Sequence, residues 1–254
     1  MAFTAVAWSE SQDSATLVNM AALADQHVRI VGDDVVVPNF AANLAGYYFL
    51  GANFTQGQLS SPSLRRTFLI DVEPGDRTAN VPQTPPAFHN RTISPVPLDV
   101  SEALNALMAE DAAGVGRVTA VALLSDGPIA PDVRPSYTIR ATNTSTLVAF
   151  AWSNGALTFT QTLPAGRYAV TGARYQGATA TAFRLVFVGA SHRPGGLGAV
   201  SDLASDVAGQ RYGGWGVWGE FEHDAPPTVD FLATGADASQ IVHLDLVQTR
   251  AGAA

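Results

Sequence analysis

Residues 163–188 read LPAGRYAVTGARYQGATATAFRLVFV, and this stretch decides the fold. It contains two runs, 167–176 and 179–188, that are rich in aromatic and β-branched residues, as strands are. Pro164, Ala165 and Gly166 precede the first run and favour a tight turn. The stretch therefore predicts two consecutive β-strands.

The same pattern continues on both sides of this stretch. Asn154-Gly155 favours a two-residue type I′ hairpin turn. Strands at this spacing predict an all-β fold, an antiparallel β-sandwich or jelly roll with one short helix and long loops. We expect at least about 35% strand and less than about 20% helix, against an ordinary strand share of about 20–25%. The other strands predicted in the second half are 118–124, 136–142, 146–152, 156–163, 214–222, 228–232 and 241–248.

The first half is less regular. Gly32-Asp33-Asp34 separates two β-branched runs and indicates a hairpin. The segment 81–97 holds five prolines, a density that neither a central strand nor a helix tolerates, and it is expected to be an extended loop. The strands predicted in this half are 27–31, 35–37, 47–54 and 64–72.

One helix is predicted at residues 100–112. Asp99 can cap its N terminus, and Glu102 stands three residues later, where it can reach back to the cap. The apolar residues that would share one face of this helix are Ala103, Leu104, Leu107 and Met108.

These elements suggest an N-terminal arm at residues 1–26, followed by one jelly-roll β-sandwich domain at 27–254. The domain would include the proline-rich loop 81–97 and the helix 100–112. Prolines limit the flexibility of that loop and remove amide donors. We expect the arm and the loop to become ordered mainly through contact with neighbouring subunits.

Composition narrows the functional classes. Of 254 residues, 47% are hydrophobic and only 14% are charged, so the chain can build a large core and has a surface suited to self-association. The net charge is -8, and all the basic residues are arginines. They form no clustered positive stripe, so direct nucleic-acid binding is not expected.

The sequence also suggests a compartment. The first basic residue is Arg29, whereas a secretory signal needs positive charge before its apolar stretch. No run approaches the roughly 18 apolar residues of a transmembrane segment. The chain has no cysteine, which excludes disulfides and thiolate chemistry. We expect a protein made in the cytoplasm, with neither a signal peptide nor a transmembrane segment.

One acidic segment could hold a metal ion. Glu220, Glu222 and Asp224 would share one strand face by alternation, with His223 beside them. The alternative is a solvated strand end, which is the commoner situation. The expectation is that no metal is bound here.

The other candidate sites are weaker. Asp71, Glu73 and Asp76 lie in an acidic loop but lack the twelve-residue calcium pattern. Phosphate-binding loops and the serine elbow G-x-S-x-G are absent, and the glycine-rich runs 195–198 and 213–216 fall between predicted strands. No catalytic residue, cofactor or small-molecule substrate is therefore predicted. The remaining histidines, His27, His89, His192 and His243, lack metal-binding spacing.

Three tryptophans could serve sugar stacking or packing. Trp215 and Trp218 are three residues apart, so in a strand they would face opposite sides. One core residue and one contact residue are expected there, not a shared platform. Trp152 stands in front of Asn154-Gly155 and leaves both alternatives open.

The second half resembles a known class of proteins in style. The runs 163–170 and 178–187, with the pattern L-P-A-G-x-Y-x-V in the first, are similar to adjacent strands of viral and phage jelly-roll capsid (coat) proteins. The segment 192–221 also resembles that of a phage-type virion protein. The resemblance covers about the last 120 residues and implies a virion structural role without assigning functional residues.

Three hypotheses follow. The first is a non-enzymatic, self-assembling capsid subunit in the virion, whose partners are copies of itself and other virion proteins, near an internal membrane. The second is a non-catalytic β-sandwich module that binds carbohydrate or a receptor, which would show aromatic residues on one exposed face. The third is an enzyme on a cupin-like barrel, which would show clustered histidines and carboxylates in a cavity.

Overall fold

A computed structural model describes residues 2–11, 14–51, 54–66, 72–74, 89–91, 94–110, 117–128, 137–176, 179–197 and 217–252. Of the residues that the structure describes, more than half are in strands and five are in one short helix, and the strands form several antiparallel sheets. The prediction of an all-β sandwich with one short helix is confirmed. The chain forms two compact units, an N-terminal unit, Val6–Pro128, and a C-terminal unit, which combines Met1–Ala5 with Ile129–Ala254.

The N-terminal unit contains two sheets. One has the strand order β10-β6-β12-β1-β3, with β9 also paired to β6, and the other has the order β4-β5-β11-β7-β8, with β2 paired to β11. The elements are β1 (Phe3–Glu10), β2 (Val18–Asn19), β3 (Ala21–Ala22), β4 (Ile30–Val31), β5 (Asp34–Val36), β6 (Asn43–Gly51), β7 (Phe54–Ser60), α1 (Pro62–Arg66), β8 (Val72–Pro74), β9 (His89–Asn90), β10 (Val96–Pro97), β11 (Ala103–Glu110) and β12 (Val118–Ser125).

The C-terminal unit also contains two sheets, with the strand orders β15-β13-β21-β16-β19 and β14-β20-β17-β18. Its strands are β13 (Tyr137–Asn143), β14 (Trp152–Ala156), β15 (Thr158–Phe159), β16 (Gly166–Gln176), β17 (Ala180–Val186), β18 (Gly195–Leu197), β19 (Gly219–Glu222), β20 (Thr228–Ala233) and β21 (Gln240–Ala251).

The two units share one topology. In each of them, eight principal strands numbered in chain order make one sheet with the order 1-8-3-6 and a second sheet with the order 2-7-4-5. This is the strand arrangement of a jelly roll. The chain is therefore two jelly rolls in succession, where the sequence suggested an arm and a single domain. The eight strands are β1, β5, β6, β7, β8, β10, β11 and β12 in the first unit, and β13, β14, β16, β17, β18, β19, β20 and β21 in the second.

Aromatic side chains fill the C-terminal unit. Phe183 is completely buried, and its ring lies 5.0 Å from that of Tyr175, 6.1 Å from Trp218 and 6.4 Å from Phe231. Ring pairs at such distances add to the stabilisation that comes from burying apolar area. The largest fully buried side chains of the N-terminal unit are Trp8, Tyr48, Met20, Leu44, Leu64 and Leu104.

The predicted helix 100–112 is wrong, because residues Ala103–Glu110 form β11. Leu104, Ala106 and Met108 are all fully buried and alternate with the more exposed Ala103, Asn105 and Leu107, which is the two-residue period of a strand. Glu102 therefore starts no helix of its own, and it bonds to the first turn of α1 instead. Its carboxylate accepts hydrogen bonds from the backbone N–H and the hydroxyl of Ser63, at 3.1 and 2.9 Å.

The predicted arm, residues 1–26, also differs from the structure. Phe3–Glu10 is the buried strand β1, and Val18–Asn19 and Ala21–Ala22 pair with β11 and β1. Apolar residues occupy both faces of β1, so it belongs inside the sheets and not on a neighbouring subunit.

The proline-rich segment is described only in part. His89–Asn90 and Val96–Pro97 both pair with β6, so these residues belong to the chain's own sheet. Residues 81–88 and 92–93 lie outside the described part, and the expected contact of this segment with neighbouring subunits stays a prediction. Of the predicted strand 64–72, residues 64–66 lie in α1, and 67–71 are outside the described part.

The predicted hairpin turn at Asn154-Gly155 is also wrong. Both residues lie inside β14, opposite Asp230 and Val229 of β20, and the predicted strand 146–152 is replaced by one that starts at Trp152. Gly155 is needed for space, because a Cβ there would meet the side chains of Asn143 and Ser145. Close packing explains this glycine better than turn formation does.

Candidate functional site on the β19 surface

The acidic segment singled out in the sequence forms β19, which is at one edge of its sheet and pairs with β16. The Glu220 carboxylate lies 2.7 Å from Nε of Arg167, and the Glu222 carboxylate lies 2.7 Å from Nη2 of Arg250. All four side chains are 36–65% exposed. Glu220 is thus paired with a guanidinium group on the adjacent strand β16, and Glu222 with one on β21, the next strand along the sheet.

His223 and Asp224 follow β19 but do not complete a metal site. Nδ1 of His223 is 4.0 Å from Oδ1 of Asp224, and the backbone N–H of Gly166 points to the same Nδ1 at 3.5 Å. Within the described ranges, no group of three or more His, Asp or Glu side chains is placed to hold a metal ion. The chemistry of this segment is that of charge pairing across strands.

An open depression adjoins these ion pairs, and we call it the β19 surface. It has a volume of about 220 Å³. Val188 stands beside it with 93% of its surface exposed, and Gly219 is required underneath because a Cβ there would meet the ring of Phe187. Apolar groups surrounded by polar ones are typical of protein–protein interfaces. The lining residues are Arg167, Phe187, Val188, Glu220, Phe221, Glu222, Ala225 and Pro227.

Tyr168 supports this surface from below. Its ring stacks on Phe221 with centroids 6.0 Å apart, and its hydroxyl donates to the carbonyl oxygen of Pro164 at 2.8 Å. Burial raises the pKa of the Tyr168 phenol, and the nearby Tyr137 raises it further.

The raised pKa of Tyr168 predicts a loss of stability at alkaline pH. The protonated Tyr168 phenol contributes fully to the free energy of unfolding below the pKa that tyrosine has in the unfolded chain, near 10. This contribution is lost as pH rises through the higher pKa of Tyr168 in the folded protein. Urea unfolding of wild type and Tyr168→Phe between about pH 8 and 11 measures this. We expect the wild type to lose stability more steeply above pH 10, and parallel curves would contradict the assignment.

The tryptophans are mainly core residues. Trp8 and Trp218 are fully buried, and half-buried Trp152 lies under the guanidinium of Arg184, 4.1 Å from the ring centroid. Among the described residues they therefore form no exposed platform. Trp218 is the core residue expected of its pair, and Trp215 lies outside the described part.

The other predicted candidates are scattered or not described. Asp71 and Asp76 fall outside the described residues, as does the side chain of Glu73. Nε2 of His192 is hydrogen-bonded to the carbonyl oxygen of Trp218 at 3.1 Å, and Gly195–Leu197 forms β18. In the described part of the chain, no helix is long and apolar enough to cross a membrane.

Sequence reasoning missed the basic half of this surface. Arg167 and Arg250 lie on β16 and β21, and only strand pairing brings them beside the glutamates. Val188 was assigned to a strand end, although Gly189 after it adopts a positive φ of 77° and continues the exposed turn. That glycine is the one signal that could have marked a loop here.

Comparison with known proteins gives little. No protein-family model and no curated protein matches the sequence. Among solved structures, one match is the major capsid protein P2 from bacteriophage PM2, with 8% sequence identity and a TM-score of 0.24 over 97% of this chain and 98% of that one. Values this low assign neither a family nor a function.

Proposed function

We propose that this chain is a virion structural protein, a self-assembling capsid subunit built from two jelly rolls. The observation that carries the proposal is the succession of two units with the same strand order and with interiors filled by their own side chains. Jelly-roll domains occur in viral capsid proteins, lectins and cupins, so the fold alone leaves these three functional classes open.

The interior of the C-terminal unit argues against the cupin class. Enzymes of that class need a cavity lined by metal ligands, whereas Phe183, Tyr175 and Phe231 occupy the space between the sheets here. No cluster of three metal-binding side chains occurs within the described ranges. A structural role, without catalysis, cofactor or small-molecule substrate, agrees with this packing.

The surfaces argue against a lectin-like module. A sugar platform needs exposed aromatic rings, and the described tryptophans are buried or lie beneath Arg184. The β19 surface instead offers an apolar floor with two Arg–Glu pairs, so two copies of it can match arginine with glutamate. Its partner would be a second copy of this chain.

Charge suggests how the genome is handled. The chain carries 14 arginines, no lysine and a net charge of -8, which disfavours wrapping a nucleic acid directly. The partners we propose are further copies of the chain and other virion proteins, beside an internal membrane or a genome packaged by a motor. We further propose that the chain is synthesised in the host cytoplasm.

Negative-stain electron microscopy of the purified protein tests the proposal. Closed shells or regular arrays are expected, because interfaces burying well over ~1,000 Å² are stable and this chain has few charges to oppose them. A field of discrete small particles at every protein concentration would contradict self-assembly and favour a binding module.

A single charge on the β19 surface should reduce assembly. Val188→Asp places a carboxylate where a second copy would dehydrate it, so particle yield by light scattering is expected to fall about tenfold or more. Val148→Asp is the matched control, since Val148 is 60% exposed in the same unit but lies outside the β19 surface. Equal yields from the two variants would show that the β19 surface is not a subunit contact.

A further inference from the structure

Residues 2–5, which we call the strap, pack within the C-terminal unit although residues 6–128 form the other jelly roll. Phe3 is fully buried, and its ring meets that of Trp218 edge-to-face with centroids 5.5 Å apart. Trp218 stacks in turn on Phe183 at 6.1 Å. The strap thus contributes a ring to the aromatic core of the C-terminal jelly roll.

The backbone of the strap is bonded to the same unit. The N–H of Ala5 donates to the carbonyl oxygen of Arg193 at 3.1 Å, and the carbonyl oxygen of Ala5 accepts from Nη1 of Arg184 at 3.0 Å. Arg184 is itself held by Asp230 at 2.8 Å. Both polar backbone groups of one strap residue are therefore satisfied by the C-terminal unit, as buried backbone requires.

The strap continues directly into the first strand of the N-terminal jelly roll. Both belong to β1 (Phe3–Glu10), and the part from Val6 onward lies in a sheet between β12 and β3. Because the folded part of β1 holds the strap close to its binding site, the strap binds there at a high effective concentration. This effective concentration falls when the rest of β1 unfolds. The C-terminal unit therefore receives part of its core from a segment that is covalently continuous with the first strand of the N-terminal unit.

We propose that the strap completes the C-terminal jelly roll and thereby links its unfolding to that of the N-terminal jelly roll. The proposal rests on these contacts and is independent of the capsid function. When the N-terminal unit unfolds, the C-terminal unit loses the restraint on Phe3 and on the Ala5 hydrogen bonds. The two jelly rolls then unfold at the same denaturant concentration, although each has its own core.

Urea titration of the full chain, followed by pulsed hydrogen exchange of separate peptides, tests both parts. Strands β17 and β20 report on the C-terminal unit, and β6 and β11 report on the N-terminal unit. Phe3→Ala should raise the unfolding equilibrium constant of β17 and β20 roughly a hundredfold or more, as buried phenylalanine truncations do. An unchanged urea midpoint for these two strands would overturn the proposal that the strap completes the C-terminal jelly roll.

The linkage is tested by a variant far from the strap in the chain. Leu104→Ala removes a fully buried side chain of β11 and should lower the urea midpoints of both reporter pairs together. A fall confined to β6 and β11 overturns the linkage. Val148→Ala, at an exposed site, should leave all four midpoints unchanged.

Phe3→Leu serves if the alanine variant fails to fold. Leucine keeps most of the apolar volume, so the equilibrium constant of β17 and β20 should rise about tenfold, within the range of conservative core exchanges. No change for this variant overturns the strap in the same way.

Discussion

Replacing Asp230 by alanine is expected to lower the free energy of unfolding by about 3–5 kcal/mol. The Asp230 carboxylate accepts from Nε of Arg184 at 2.8 Å and from the side-chain amide of Asn154 at 2.7 Å. The Arg184 side chain is only 3% exposed and also covers Trp152. Removing the carboxylate leaves a buried guanidinium group without its counter-ion, which costs more than the pair contributes.

The exposed pair Arg250–Glu222 is the matched control for Asp230→Ala. Its separation is 2.7 Å, but its side chains are 65% and 42% exposed, so Glu222→Ala should cost less than about 1 kcal/mol. Urea denaturation of both variants measures the difference. Equal losses would show that burial is not what makes the Arg184–Asp230 pair important.

A double variant separates the charge from the packing. Arg184→Leu with Asp230→Leu removes both charges and fills the site with apolar groups, so it should recover most of the stability lost in Asp230→Ala. A double variant less stable than Asp230→Ala would contradict an electrostatic origin of the loss.

Phe183→Ala is expected to destabilise the protein by about 3–5 kcal/mol. The side chain is fully buried between Tyr175, Trp218 and Phe231, so its removal leaves a cavity and ends three ring contacts. The near-ultraviolet circular dichroism should weaken at the same time. Val148→Ala, exposed in the same unit, should change stability by no more than about 0.5 kcal/mol, and a similarly small loss for Phe183→Ala would contradict the packing argument.

The strands of the second half could be predicted because their local composition and the turn residues between them favour the same structure. The predicted strands 167–176, 179–188 and 228–232 correspond to β16, β17 and β20, whose apolar, β-branched composition suits a buried sheet. β11 was missed because Leu104, Leu107 and Met108 fit a helical face as well as a strand. β11 pairs with β7 and β5, which are distant from it in the sequence, so the residues around β11 alone do not reveal this pairing.

The presence of two jelly rolls and the ion pairs of the β19 surface could not be predicted from the sequence, because both depend on strand pairing. Two jelly rolls need only the same strand order, which depends on burial and pairing, so neither unit has to repeat the residues of the other. Glu220 and Glu222 were identified as an acidic face, but a metal site and an ion-pair ladder differ only in what the neighbouring strands contribute. Arg167 and Arg250 decide between them, and strand register places both.

The position of Asn154-Gly155 inside β14 bears on how the protein ages chemically. Such pairs lose the side-chain amide when the glycine nitrogen attacks the asparagine side-chain carbonyl, a step that needs a freely rotating backbone. Pairing with β20 holds this backbone extended, and the Asn154 amide is bonded to Asp230 and to Thr228. Deamidation there must wait for local opening of an edge strand. When it occurs, it sets a second carboxylate beside Asp230, so the rate of this chemical change is governed by how often β14 opens.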